Sequence, residues 1–227
     1  MTPGEKWAHK YLRYDFRQPE LLEQALTHKS RSSRNNERLE FLGDSVLGLV
    51  IAEALFSHAQ LADEGALSRM RASLVRRETL AELASELQLG DVMLLGSGEY
   101  RTGGQKRTSI LADGLEALLG AVLLDGGFAA VREVILHLFA SRLENLPDPA
   151  ELKDAKTLLQ EKLQACAIAV PVYTVISEAG PAHARVFEVQ CRIADLDIET
   201  VGVARSRRIA EQVAAASALA NMEAQSL

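Results

Sequence analysis

The spacing of apolar residues changes once along this chain, and that change constrains the fold more than any other feature. Up to residue 146 the apolar residues recur at helical intervals. Beyond "PDPAELKD" they alternate, as Phe187, Val189, Cys191 and Ile193 do, which is the period of a half-buried strand. Side chains share a face every 3.6 residues on a helix and every two on a strand, so one pattern cannot serve both. The chain is therefore expected to hold an all-α domain over 1–146 and an α+β domain over 154–227. Between them, 147–153 reads as a linker, where two prolines and exposed charges break the pattern. With 227 residues, 48% of them hydrophobic, both parts can bury a core.

Within the first part, Pro19 opens "PELLEQALTHKS", because proline is tolerated in a first helical turn. A long helix is expected from about Asn36 to Ser57, and one or two more in "DEGALSRMRASLVRRETLAELASELQL". "GDVMLLGSGEYRTGGQKR" reads as glycine-rich and irregular. "TSILADGLEALLGAVLLDGG" is a helix with Thr108 or Ser109 as N-cap and Gly126–Gly127 as its stop, and "FAAVREVILHLFASRLENL" is the last. The second part reads helix, three strands, helix, from "AKTLLQEKLQACA" to "SRRIAEQVAAASALANM".

The stretch "NERLEFLGDS" puts Glu37, Glu40 and Asp44 at the start of the long apolar helix. At 100° per residue the three acids fall within about 60° of one face. Leu39, Leu42, Val46, Leu49 and Val50 take the opposite face, with Phe41, Leu47 and Ile51 flanking. A helix apolar around most of its circumference is a core helix, so its acids face an internal cleft. Three like charges in a desolvated cleft repel, and a divalent cation removes that cost. Asp113 and Glu116, three residues apart in "LADGLEALLG", supply a second acidic stripe. Each stripe runs on into a glycine, Gly48 or Gly120, which lets two helices approach closely. Such an oxygen-only set suits Mg²⁺; zinc would call for a Cys/His cluster. The bland reading stays open: acid stripes on solvated helix faces are ordinary, and Glu37 or Glu64 can serve simply as first-turn acids, with Asn36 as cap for the former.

Composition adds limits. The net charge is −6 and the pI about 5.5, which argues mildly against a nucleic-acid partner. No apolar stretch reads as a membrane span, and the charged N-terminal sequence lacks the apolar run of a signal peptide. Cys166 and Cys191 read as small buried hydrophobes of a reducing compartment, which places the protein in the cytosol.

"NERLEFLGDS", preceded by "ALTHKS" and followed by "SRMRASLVRRETLAELA" and "SILADGLEALLGAV", resembles bacterial ribonuclease III. "TLLQEKLQ", "GPAHARVFEV" and "SRRIAEQVAA" resemble a double-stranded RNA-binding domain. The resemblance covers nearly the whole chain. It implies an all-helical, homodimeric nuclease domain and a Mg²⁺-dependent endoribonuclease, with Mn²⁺ able to substitute. Such an enzyme cuts double-stranded RNA to 5′-phosphate and 3′-hydroxyl ends with short 3′ overhangs, and processes ribosomal and other structured RNA precursors. Glu40, Asp44, Asp113 and Glu116 match the family's catalytic acids. Glu40, Asp113 and Glu116 are taken as metal ligands, with Asp44 beside them as orienter or base for the water, or as a ligand through water. Glu37 and Glu64 match additional acids, and Phe41 an aromatic that plugs into the dimer partner.

In the RNA-binding part, Gln160 and Glu161 are expected at 2′-hydroxyls and base edges, and His183 at a second minor groove. Arg207 and Arg208 open the last helix, where a cation opposes the helix dipole, so phosphate contact explains them better than helix stability does. Residues 153–227 carry 8 Lys+Arg against 9 Asp+Glu, so this domain alone is expected to bind RNA modestly. The rival readings are a non-catalytic RNA-binding scaffold and a helical metalloenzyme acting on small molecules. The intact acid set weighs against the first, and the lack of Glu-x-x-His pairs against a di-iron form of the second.

Overall fold

The computed structural model describes residues 1–58, 62–146, 153–181 and 184–224. It divides into two compact units, Met1–Leu152 and Lys153–Leu227.

The first unit is helical. Helix α1 (Pro3–Trp7) runs into a π-helical turn, Ala8–Leu12, and α2 (Pro19–Leu26) follows. Helix α3 (Glu37–His58) is the long acidic one. Helices α4 (Glu64–Val75) and α5 (Arg77–Glu86) are separate because Arg76 takes an extended conformation between them. The glycine-rich stretch is more ordered than its composition suggests. It holds 3₁₀ turns at Leu89–Asp91 and Gly104–Lys106 and a short α6 (Ser97–Arg101). Helix α7 spans Thr108–Glu144, and its N-cap is Arg107, without a side-chain bond, so neither Thr108 nor Ser109 caps it. Gly127 interrupts it: at φ 78° and ψ −179°, a region open to glycine, it lies outside helical geometry, so two helices meet there, in line with the expected stop at Gly126–Gly127 and a last helix after it. By length and composition α7 is apolar enough to cross a membrane, contrary to the expectation that no stretch would be. It is a core helix: Leu115, Leu118, Leu119, Ala121 and Val122 are fully buried against α3 and its neighbours.

Helices α3 and α7 form the centre of this unit. The buried face of α3 is Leu39, Gly43, Val46, Leu47, Val50, Ile51, Ala54 and Leu55. Leu49 faces outward at 58% exposure, so the core side lies about a quarter-turn from where apolar content alone put it. The first N–H of α3, that of Glu37, donates to Asn35 Oδ1 at 3.0 Å; Asn36, buried, holds the cap position, its carbonyl accepting from the Glu40 N–H at 2.9 Å.

The second unit is α8 (Ala155–Ala165), strands β1 (Val172–Ala179), β2 (Val186–Ile193) and β3 (Ile198–Ala204), then α9 (Arg207–Ala224). The antiparallel sheet has order β1-β2-β3. Val189, Cys191 and Ile193 alternate inward and are buried, the last two in one cluster with Leu159, Leu163, Ala214 and Ala218. Gly202 is required here: a Cβ would lie 2.1 Å from the carbonyl oxygen of Ala210 on α9. Both cysteines are free, but Cys166, at the end of α8, is exposed where burial was expected. Of the expected linker, 147–152 lies outside the described residues.

Candidate active site

The acids on α3 and α7 come together because two glycines bring the backbones into contact. A Cβ on Gly43 would lie 1.7 Å from the carbonyl oxygen of Glu116, and one on Gly120 would lie 2.2 Å from that of Leu39. Gly120 was legible in the sequence; its partner is Gly43 and not Gly48, which has nothing within 4 Å. Gly43 falls three residues after Glu40, so the same turn that presents the acid also makes the contact.

Carboxylate oxygens of Glu40, Asp113 and Glu116 lie within 4.8 Å of one another. They open onto a cleft of about 380 Å³ that Glu37, Asp44, Phe41 and Arg77 also line. Burial pushes the Glu116 carboxyl up to about 8, with Asp44, Glu40 and Asp113 adding repulsion. Burial likewise raises Glu40, helped by Asp113 and Glu37, and raises Asp113, against which Arg77, His28 and Lys29 act. The site is therefore short of positive charge, the condition a hard cation relieves.

Glu37 sits at the exposed rim. Its hydrogen bond from Lys29, at 3.1 Å, holds its carboxyl below the usual range. Glu64 does not reach this cleft. It takes the first position of α4 and accepts a 2.9 Å hydrogen bond from Ser68, while Asp63 caps the helix. Phe41 is 77% exposed, and Leu49 and Phe56 are exposed with it. At 100° per residue the three lie within about 80° on α3.

A family profile described as "Ribonuclease-III-like" matches residues 18–143, and one described as "Double-stranded RNA binding motif" matches 155–222. The chain is 51% identical to "Ribonuclease 3" of Nitrosococcus oceani, over 97% of this chain and 95% of that one. It is 54% identical to "Ribonuclease 3" of Cupriavidus pinatubonensis, over 92% and 81%. The chain belongs to the ribonuclease III family. Among solved structures, the nuclease domain of ribonuclease III from Campylobacter jejuni matches with a TM-score of 0.61 at 41% identity, covering 64% of this chain and all of that one. A second structure of that nuclease domain, at 43% identity, has a TM-score of 0.60 and covers 62% of this chain and 99% of that one. That structure is reported to show flexibility in a region involved in dimer formation.

The RNA-binding motif of this ribonuclease III relative carries its expected contact residues in differing states. Gln160 and Glu161 are exposed on α8, but Glu161 is ion-paired with Lys153. Arg207 is paired with Glu211 at 2.9 Å, and Glu211 also holds Lys156 at 2.8 Å. Glu211 is thus an internal anchor for two cations, which explains an acid at that position. Arg208 is exposed and among the described residues has no ion pair. His183 lies outside the described residues. In the nuclease part, Arg107 is tied to Glu99 at 2.7 Å.

Sequence reasoning did not pick out Gly43 or Arg77. The first was visible as a glycine on the acid helix. Arg77 had no local signal, because it belongs to a third helix.

Proposed function

We propose that this protein is a Mg²⁺-dependent endoribonuclease that hydrolyses double-stranded RNA to 5′-phosphate and 3′-hydroxyl ends, with structured RNA precursors as substrates. One observation carries the reading: in a member of this family, three carboxylates from two helices meet within 4.8 Å in an open cleft.

The donor set fits the metal. Glu40, Asp113 and Glu116 offer only oxygens; burial raises the carboxyls of all three, and neighbouring carboxylates add to this at Glu40 and Glu116. When bound there, Mg²⁺ supplies Lewis acidity toward a phosphate oxygen and lowers the pKa of a water; Mn²⁺ offers the same ligand geometry. The protein's own part is positional. The Gly43–Gly120 contact fixes the α3 acid against the α7 acids. Asp44, exposed at the cleft wall, orients the attacking water or takes its proton. Glu37 contributes negative potential at the cleft rim, outside the triad.

Residues 1–146 form the nuclease domain in this reading, 147–153 the linker and 154–227 the RNA-binding domain. The exposed Phe41, Leu49 and Phe56 stripe is the homodimer contact. An apolar stripe of this kind is costly to leave in water and marks an interaction surface. Arg208 and Gln160 position the duplex, and Arg207, held by Glu211, contributes less. An RNA-processing role and free thiols fit the cytosol.

The test is cleavage of a long double-stranded RNA by the full chain, with Mg²⁺ and with EDTA, followed by analysis of the ends. Mg²⁺-dependent fragments bearing 5′-phosphates support the reading. Intact RNA that the protein nonetheless binds would favour a scaffold.

A further inference from the structure

Arg77 is the one cleft charge without an assigned task. It shares the cleft with Glu40, Asp44, Asp113 and Glu116. It is exposed, and among the described residues it forms no ion pair and no side-chain hydrogen bond. Its neighbours behave differently. Lys29 is bound to Glu37 at 3.1 Å, and Arg76 donates to Thr79 Oγ1 at 3.2 Å. Nor does Arg77 serve its helix, because at the first position of α5 a cation opposes the dipole.

What remains is a permanently charged, planar fork of N–H donors lining a cleft of carboxylates. A nucleic-acid strand entering that cleft brings a phosphate on either side of the one cleaved. The acids and their metal serve the cleaved phosphate. Its neighbours would meet the remaining negative potential uncompensated, except where a cation stands in the wall. We propose that Arg77 holds a phosphate flanking the cleaved one, donating two N–H groups to its non-bridging oxygens. This rests on the reading of the cleft as the active site. Arg77 then sets which bond along the strand comes to the acids, and it takes no part in the proton transfers.

The experiment uses the full chain and a short RNA duplex with a single cleavage site. Each phosphate flanking that site is replaced in turn by a neutral methylphosphonate. In the wild type, neutralising one flanking phosphate should lower kcat/KM roughly tenfold, the size expected for a charge-assisted hydrogen bond. Arg77→Ala should start roughly tenfold lower on unmodified RNA and lose nothing further at that phosphate. Arg77→Lys, which keeps the charge and loses the fork, should fall between. Arg77→Gln replaces the alanine variant if that one fails to fold. Wild-type kinetics in Arg77→Ala would overturn the inference. So would a variant that is slow but keeps the full penalty at every phosphate, since Arg77 would then act through the acids. A wild type that cannot cut unmodified RNA with Mg²⁺ overturns the active-site reading itself, and that result is seen before any substitution is made.

Discussion

Replacing Gly43 with alanine tests what holds the acids together. The added Cβ would sit 1.7 Å from the carbonyl oxygen of Glu116, which is backbone and cannot rotate away. Ordinary contact begins near 3.4 Å, so α3 and α7 would have to part by about 1.7 Å. Overpacking a close-packed interior typically costs about 1–3 kcal/mol, and a backbone-to-backbone clash belongs at the top of that range. Alanine gains about 1 kcal/mol in helix propensity over glycine, which offsets part of it. We expect a net loss of about 2 kcal/mol, a large share of the 5–15 kcal/mol that holds a typical domain. The same displacement moves Glu40 away from Asp113 and Glu116. Mg²⁺ demands near-ideal octahedral geometry with ligands at about 2.1 Å, so Mg²⁺ affinity and cleavage should fall together. Urea unfolding gives the stability, and cleavage rate against Mg²⁺ concentration gives the site. A Gly43→Ala protein with the wild-type midpoint and Mg²⁺ dependence would refute the close-approach argument.

Three further outcomes follow from the same geometry. Without metal, Glu116 keeps its proton to about pH 8 when folded but only to its ordinary 4.5 when unfolded. The folded state binds the extra proton between those values, so stability should fall as pH rises through that window. Screening on this partly exposed carboxylate reduces a nominal ~5 kcal/mol to about 2 kcal/mol. Melting curves in EDTA from pH 5 to 8 should show the fall in the wild type and a flatter one in Glu116→Gln; equal slopes would contradict it. Phe41→Ala should weaken the homodimer by about 3–5 kcal/mol if the ring is fully buried by the partner; sedimentation showing a monomeric, fully active wild type would end that idea. Arg208→Ala should reduce the salt slope of RNA affinity by about one, and Arg207→Ala by less, because Glu211 already neutralises Arg207; equal slopes for the two variants would show that the Glu211 pair opens on binding.

The acids were legible in the sequence because their spacing is local. Glu40 and Asp44, or Asp113 and Glu116, share a helix face whatever the rest of the chain does. The α-β-β-β-α order was legible for the same reason, since Val189, Cys191 and Ile193 carry the strand period themselves. The orientation of α3 was not. A helix apolar nearly all round gives no unique buried face, so Leu49 was assigned to the core and Gly48 to the contact that Gly43 makes. The start of α7 was not legible either, because caps depend on backbone conformation: Arg107 precedes it without a side-chain bond, where Thr108 or Ser109 was expected. Glu64, Arg77 and Glu211 needed the structure, since what each meets or fails to meet is decided by tertiary packing.

The central claim is that the Glu40, Asp113 and Glu116 cluster is a Mg²⁺ site for RNA cleavage, with Asp44 beside it. Single-turnover cleavage of double-stranded RNA over a Mg²⁺ titration tests it most directly, comparing the wild type with Glu116→Gln and Asp44→Asn and measuring RNA affinity in parallel. The account predicts that both variants stay folded and bind RNA as the wild type does. It predicts that both lose at least ~100-fold in cleavage rate, and that saturating Mg²⁺ does not restore it. Near wild-type cleavage by either variant at saturating Mg²⁺ would contradict it.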